Sequence, residues 1–380
     1  MSNIRKHVVR PLNNQASYKE FSNIDFLLNF DARKMIPGTL RINGRLKVYS
    51  ISSGNQYSGG QIPNVYIDPS VGASIWLDTM TTTTANQGTL ESFSDYYRYK
   101  KLVQTSMATM DDAQDIHSQC EMVSSSQNFM NDMMQGEKVK GVAQPDPNTQ
   151  KPSSFSINPL IILNQVSSLD GSVPAIRGAT VGDVRLSIRT SSNGSVFYGA
   201  NSSSDIAYEV QDLFVTFKSI PDDGVQGKLL LRPKFSVRQT LQSGLSIFSA
   251  NAPIVARSVS LTFITQSLQS NPQYNSCRLE RPPNVTRVEY FTNDNNSLLT
   301  YPLQNQEEIV KYGLDSMGAD NINNCSLANL YSNNSYVAGI SFGSPIDLSK
   351  NSFQMRLESG ISGTSNSMQA HALFHGIMEM

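Results

Sequence analysis

The chain lacks most of the features that mark secreted, disulfide-rich or membrane-spanning proteins. Its three cysteines, Cys120, Cys277 and Cys325, are far apart and form no CxxC pair, which argues against a disulfide framework and a zinc ribbon. No run approaches the ~18 apolar residues of a membrane span, and the N-terminal MSNIRKHVVRPLNNQ has no apolar segment typical of a signal peptide. We therefore expect a chain from a reducing setting that neither spans a membrane nor is exported.

The sequence also lacks an excess of charge of either sign. Lys and Arg number 30 and Asp and Glu 31, so the formal net charge is -1 and the pI is near 6.4. A surface built to neutralise phosphates along its length needs a strong basic excess. Sequence-specific nucleic acid binding is therefore not expected.

Catalytic motifs are missing as well. The chain has no P-loop, no GxGxxG, no G-x-S-x-G elbow and no pair of carboxylates in a supporting context. The sequence therefore predicts a protein that is not an enzyme and that needs no cofactor.

Two groups of residues could in principle bind a metal ion. His117 and Cys120 have an HxxC spacing beside Asp111, Asp112 and Asp115, but no second Cys or His pair lies nearby, so a solvated acidic loop is the favoured interpretation. No metal site is predicted there.

His371 and His375 in HALFH have a spacing that would suit zinc on a helix. The alternation of Met368, Ala370, Ala372 and Phe374 predicts a strand instead. In a strand the two histidines would lie about 13 Å apart at ~3.3 Å per residue, too far for one ion.

What the sequence does contain is a repeated period of two, which is typical of half-buried strands. It appears in TLRINGRLKVY, DVRLSIR, SVSLTF and FQMRLE, where apolar residues alternate with polar or charged ones. Clusters of Gly, Ser and Asn such as SSGNQYSGG, SSNGS, NSSSD and SGISGTSNS separate these runs and are typical of loops. The fold class is therefore predicted to be all-β.

Two segments predict helices, and they resemble each other. In LQNQEEIVKYGLDSM, Asn305 is placed to cap a helix with Glu308 at the third position, and Val310, Leu314 and Met317 share one face. The earlier segment is NQGTLESFSDYYRYKKLVQTSM. A similar face is formed there by Phe93, Tyr96, Tyr97, Leu102 and Val103, and Arg98, Lys100 and Lys101 are predicted to point outward. Aligning QTSM with LDSM superposes Lys101 on Lys311, an offset of 210 residues.

A second recurrence indicates that the whole architecture is duplicated. Each half closes with a strand, a Gly/Ser/Asn loop and a longer strand, and 380 residues are enough for two cores, since single cores stop growing near ~250 residues. The break is predicted at SIPDDGVQG, residues 219–227. We therefore predict an N-terminal arm at 1–20 and two β-sandwiches in tandem, at 21–222 and 223–380.

The order of these segments resembles that of the double jelly-roll major capsid proteins of icosahedral double-stranded DNA viruses, from about Ile24 to the C-terminus. The segments that carry the resemblance are VYIDPSVGASIWLDTM, GTLESFSDYYRYKKLV, PAIRGATVGDVRLSIR, YEVQDLFVTFKSI, VARSVSLTFITQS, NVTRVEYFTND, EEIVKYGLDSM, GSPIDLSKNSFQMRLESG and the terminal HALFHGIMEM. The resemblance implies two eight-stranded jelly rolls side by side with a few short helices in the inter-strand loops. The length is closest to that of the bacteriophage, virophage and polinton-like members.

The resemblance also implies a function and partners. The protein would form a homotrimer, a pseudo-hexagonal capsomer that tiles the virion shell, and would be assembled inside the host cell. Neighbouring capsomers, penton and minor capsid proteins and an internal membrane are the partners that it suggests. The alternatives are a vertex or minor capsid protein and, from another class, a lectin-like adhesion protein built of two sandwiches.

Candidate inter-subunit contacts lie in two places. The basic arm carries Arg5, Lys6 and Arg10, for which a disordered tail is the alternative. The first helix carries Tyr96, Tyr97, Arg98 and Tyr99, residue types that are enriched at interfaces. For the helix, packing inside one subunit carries equal weight.

Overall fold

A computed structural model describes most of the chain and shows a fold dominated by strands. The described residues are 3–30, 32–54, 65–68, 70–106, 120–123, 137–138, 153–199, 204–269, 271–293, 296–318, 336–363 and 366–380. The acidic HxxC segment at 111–119 and most of the Met-rich segment that follows lie outside them. Among the described helices, none combines the length and apolar character that crossing a membrane would need.

Strands β1 to β14 form a first sandwich. They are β1 Arg5–Val9, β2 Ser17–Tyr18, β3 Asn23–Leu28, β4 Arg33–Met35, β5 Arg41–Ser50, β6 Tyr66–Ile67, β7 Leu77–Thr84, β8 Gly88–Phe93, β9 Glu137–Lys138, β10 Ser153–Ile157, β11 Val166–Ser168, β12 Ile176–Arg177, β13 Val184–Thr190 and β14 Ile206–Pro221. Helix α1 spans Tyr96–Ser106, and the short helices α2 and α3 span Gly178–Val181 and Asn193–Val196. Helix α3 lies in the SSNGS stretch that the sequence analysis had assigned to a loop.

Strands β15 to β24 belong mainly to a second sandwich. They are β15 Leu229–Leu231, β16 Lys234–Leu241, β17 Leu245–Ala250, β18 Val255–Thr265, β19 Arg287–Thr292, β20 Asn296–Ser297, β21 Ala338–Asp347, β22 Phe353–Glu358, β23 Met368–Gly376 and β24 Met378–Glu379. Helix α4 spans Gln306–Asp315, and 3-10 turns occupy Gly72–Trp76, Ile162–Asn164 and Gln266–Leu268. Strand β14 ends at Pro221, but β15 still pairs with β11 and its Leu229 and Leu231 belong to the first core. The division at 222/223 stays a prediction.

The two sandwiches share one strand order. One sheet of the first runs β1, β14, β5, β10 and its counterpart in the second runs β16, β23, β18, β21. The opposite sheets run β3, β13, β7, β8 and β17, β22, β19, β20. In each sandwich the first strand of these two sheets therefore pairs with the last, β1 with β14 and β16 with β23, and a helix follows β8 and β20. Strand β1 lies in the segment predicted to be an arm, where it pairs with β14 along Arg5 to Val9.

The predicted strand faces are confirmed. In β5 the side chains of Ile42, Leu46 and Val48 are fully buried, as is Leu40 just before it. The same holds for the predicted inward residues of β13, β18 and β22, which are Val184, Leu186, Ile188, Val259, Leu261, Phe263, Phe353, Met355 and Leu357. The HALFH histidines lie on β23, as their alternation predicted.

Each sandwich has its own hydrophobic core. The first core draws almost all of its side chains from residues up to Leu231, and the second from Phe235 onward. Pro233 lies between β15 and β16 and cannot donate to a ladder, so the segment KLLLRPKFSV forms two strands. One residue of the first half, Leu102 on α1, belongs to the second core.

Helices α1 and α4 start 210 residues apart, at Tyr96 and Gln306, which confirms the alignment of the two segments. The predicted cap of α4 is also present. The Asn305 side chain accepts a hydrogen bond of 2.9 Å from the backbone N–H of Glu307, one of the amides that a helix leaves without an internal partner.

Replacing Asn305 with alanine should lower the free energy of unfolding by about 1 kcal/mol, because the Glu307 amide then loses its acceptor. Urea unfolding monitored by circular dichroism measures this change. Asn305→Asp keeps an oxygen acceptor and should remain within a few tenths of a kcal/mol of the wild type. Equal losses in both variants would contradict the capping role.

Candidate functional site at the junction of the two sandwiches

A single sheet runs from one sandwich into the other. Strand β16 of the second lies parallel to β8 of the first, with Phe235 paired to Ser92. We call this junction of β8 and β16 the seam. The backbone N–H of Ser94 donates a 2.7 Å hydrogen bond to Ser236 Oγ across it. The joined sheet has eight strands in the order β21, β18, β23, β16, β8, β7, β13, β3.

Helix α1 lies beside this seam, and its charged residues are buried. Arg98, Lys100 and Lys101 are 2%, 7% and 4% exposed, so the prediction that they point outward was wrong. The helical period of the sequence, taken alone, places these three residues on the face opposite the apolar one. That opposite face meets the second sandwich and the 120–123 segment, and partners from both shield the charges.

Arg98 connects α1 to the second sandwich through backbone carbonyls. Its guanidinium donates to Phe263 O at 2.9 Å and to Ser276 O at 3.1 Å. Burial lowers the pKa of Arg98, and the nearby Asp95 carboxylate opposes that shift. Because the guanidinium is planar and rigid, its hydrogen bonds to these two carbonyls fix the orientation of α1 relative to the second sandwich.

Asp95, just before α1, gathers groups from both sandwiches. Its carboxylate accepts a 2.9 Å hydrogen bond from the Tyr97 hydroxyl and lies 2.9 Å from His371 Nδ1 and 3.2 Å from an Arg238 nitrogen. Burial alone would raise the pKa of Asp95. The neighbouring His371, Arg238 and Arg98 outweigh burial and hold the pKa well below its usual range.

Lys101 forms a second buried link. Its Nζ lies 2.9 and 3.2 Å from the two carboxylate oxygens of Asp68, which is fully buried. Asn275, from the second half of the chain, donates to the same carboxylate at 2.7 Å. Burial by itself would raise the pKa of Asp68. The charge of Lys101 and the hydrogen bonds from Ser70 and Asn275 have the larger, opposite effect, so the net shift of the pKa is downward.

Lys100 and Glu91 extend the buried polar set on the first-sandwich side. Lys100 Nζ donates to Glu121 Oε2 at 2.7 Å. Glu91 accepts hydrogen bonds from Thr82 and from the Ile162 backbone, and burial raises its pKa to about 7 although Lys234 lies nearby. Lys234 of β16 in turn donates to the Leu160 carbonyl of the first sandwich.

Chemically, this arrangement joins two bodies. Each of these buried charges meets a charge or a dipole, and for Arg98, Asp68 and Asp95 at least one partner comes from the second half of the chain. Among the described residues, no three His, Cys, Asp or Glu side chains converge as metal ligands would. His117 and its neighbouring aspartates lie outside the described part, while Cys120 is described and exposed.

Comparisons with known proteins agree with the strand order. No family model and no curated protein matches the chain. Among solved structures, the Faustovirus major capsid protein matches with a TM-score of 0.57 at 7% identity, covering 100% of this chain and 90% of that one. The mavirus major capsid protein matches with a TM-score of 0.52 at 7% identity, covering 99% and 90%.

A third match is the PBCV-1 virus capsid, with a TM-score of 0.56 at 8% identity over 100% and 95% of the two chains. The chain has the double jelly-roll fold. The first and second sandwiches are thus its first and second jelly rolls, and the seam described above is the contact between them.

The predicted site residues fall in two different environments of this double jelly roll. Tyr96, Tyr97, Arg98 and Tyr99 are at most 9% exposed within one chain, which favours the alternative of packing inside one subunit. Arg5 and Lys6 on β1 and Arg10 just after it are exposed. Their contact with another subunit stays a prediction.

The sequence analysis missed the second-half partners of α1, chiefly Lys234, Arg238 and His371. A signal for two of them was present. Residues 6–10 read KHVVR and residues 234–238 read KFSVR, so Lys, Val and Arg recur at the same spacing at the start of each jelly roll.

Proposed function

We propose that this protein is a major capsid protein, three copies of which form a pseudo-hexagonal capsomer of an icosahedral shell. The observation that carries the proposal is the fixed pairing of two jelly rolls of identical strand order in one chain. The names of the Faustovirus and mavirus matches, both major capsid proteins, support the same function.

The reason for pairing two jelly rolls follows from symmetry. Three subunits with two similar bodies each present six bodies around a threefold axis, which fits a position with six neighbours. Such a ring requires that the two bodies of a subunit keep one relative orientation. The shared sheet and the buried charges of α1 provide that constraint.

The partners of the proposed capsomer are neighbouring copies of this chain. Penton and minor capsid proteins and an internal membrane are further proposed partners, and the proposed location is the virion, with assembly inside the host cell. A vertex protein would need fivefold packing and normally a single jelly roll, so the duplicated body favours the role of major capsid protein over that alternative.

Light scattering on a sizing column, over a range of protein and salt concentrations, tests the proposal. We expect a stable species of three times 41.8 kDa. A pentamer would redirect the assignment to a vertex protein. A monodisperse monomer at high concentration would rule out the capsomer.

A further inference from the structure

The two strands that open the jelly rolls are equivalent in sequence and in pairing. The KHVVR of residues 6–10 runs along β1 and the KFSVR of residues 234–238 along β16, and each strand pairs with the last strand of its own jelly roll. In each, the second residue, His7 or Phe235, pairs with a phenylalanine of that last strand. Val9 and Val237 pack against the first and second cores, so the inward faces match.

The outward face of β16 contacts the first jelly roll, although the Arg238 side chain at its far end is 39% exposed. Lys234 is 3% exposed and lies over the Tyr99 ring of α1, at 5.4 Å from its centroid. Ser236 accepts the Ser94 amide, and Arg238 lies 3.2 Å from the Asp95 carboxylate. This strand therefore docks on the start of α1 through alternate residues.

The outward face of β1 carries the same basic residues and is exposed within the described part of the chain. Lys6 and Arg10 are exposed and Val8 between them is 62% exposed. Ile4 and Leu12, at either end of this face, are 53% and 61% exposed. Apolar side chains that alternate with cations on an open strand are typical of an interface that a single chain leaves incomplete.

Helix α4 supplies the surface that corresponds to α1. The offset of 210 places Asn305, Glu308 and Tyr312 where α1 has Asp95, Arg98 and Leu102, the residues that meet the second jelly roll. A shallow cleft of about 520 Å³ lies at this end of α4, lined by Arg281 and by residues 304–307. Beside the start of α1, Arg238 lies 3.2 Å from Asp95, the residue that the offset aligns with Asn305.

We infer that strand β1 of one copy docks beside the start of helix α4 of a second copy, repeating between copies the contact that β16 makes with α1 inside one. The inference rests on the proposed function, because it names the surfaces that would close the capsomer. Exposed Glu307 and partly exposed Glu308 offer carboxylates to Lys6 and Arg10, while Arg281 carries an opposing positive charge in the same cleft. Tyr301, which is 50% exposed near α4, offers an apolar surface to Val8.

The contact joins two different surfaces, so it is heterologous. Such contacts form rings when the rotation closes, and a ring of three leaves every β1 and every α4 occupied. An isologous dimer would instead place the same surface on both sides. The number of chains in the crosslinked products therefore distinguishes the two arrangements.

Thiol crosslinking of the full chain tests the contact. Cys120→Ser and Cys325→Ser provide the background, Arg10→Cys and Asn305→Cys are added together, and a short bifunctional maleimide is the probe. We expect covalent dimers and trimers on a denaturing gel and nothing beyond trimer. The matched control combines Arg10→Cys with Lys350→Cys, an exposed position in the second jelly roll, and should give at least tenfold less product.

Charge reversal is the second measurement. Arg10→Glu should raise the protein concentration needed for half-maximal trimer by at least tenfold, and adding Glu308→Lys should restore most of that loss. Crosslinking no greater than in the control, a ladder that stops at dimer, or an Arg10→Glu trimer as strong as the wild type would each overturn the inference. If the wild type still scatters as a trimer, only the contact is overturned; a wild-type monomer would overturn the proposed capsomer as well.

Discussion

Replacing Lys101 with methionine is expected to lower the free energy of unfolding by about 3–5 kcal/mol, because it leaves the Asp68 carboxylate buried without its cation. Asp68 is fully buried, and of the groups around it Lys101 carries the positive charge, while Ser70 and Asn275 supply dipoles. Methionine has a similar length and apolar stem, so the change isolates the charge. Denaturant unfolding at pH 7 measures the loss.

Two variants make the Lys101 prediction specific. Adding Asp68→Asn to Lys101→Met removes the unpaired charge and should recover a large part of the lost stability, since replacing both members of a buried pair is much less costly than removing one. Lys311→Met changes the equivalent but exposed lysine of α4 and should alter stability by at most about 0.5 kcal/mol. Similar losses at both lysines would show that helix propensity, and not the buried charge, dominates.

A second large effect is expected in the pH dependence of stability and is assigned to Glu91. Burial raises the pKa of Glu91 to about 7, whereas the unfolded chain releases this proton near its ordinary pKa of 4.5. Between these values the folded protein holds more protons than the unfolded one, so stability falls as pH rises. The full loss is about 3 kcal/mol at 1.36 kcal/mol per unit, and it is complete above pH 7.

Glu91→Gln removes the titrating group and should flatten this part of the stability profile. Urea unfolding at intervals from pH 4.5 to 8 measures it, as a difference between variant and wild type. Thr82→Val deletes a hydrogen bond to Glu91 Oε1 but keeps the carboxyl, so it should keep the fall of stability with pH. An unchanged slope in Glu91→Gln would mean that another group carries the pH dependence.

The strands and the duplication could be predicted from the sequence because both depend on local patterns. Alternation in β5, β13 and β22 records burial on one face, and the cap at Asn305 depends on neighbouring residues alone. The environment of α1 could not be predicted in this way. Lys101 meets Asp68, which is 33 residues away in the sequence, and Arg98 meets the Phe263 carbonyl, which is 165 residues away.

The pairing of β8 with β16 also has a consequence for the order in which the chain is built. Strand β14 can pair with β1 as soon as it has been synthesised, because β1 is already available. Until residues 234–276 emerge from the ribosome, however, β8 keeps an open edge and Arg98 and Leu102 lack their carbonyl and apolar partners. The nascent first half therefore exposes an unpaired strand edge together with charged and apolar side chains. Until the second half is synthesised, a chaperone or an incorrect strand can bind there.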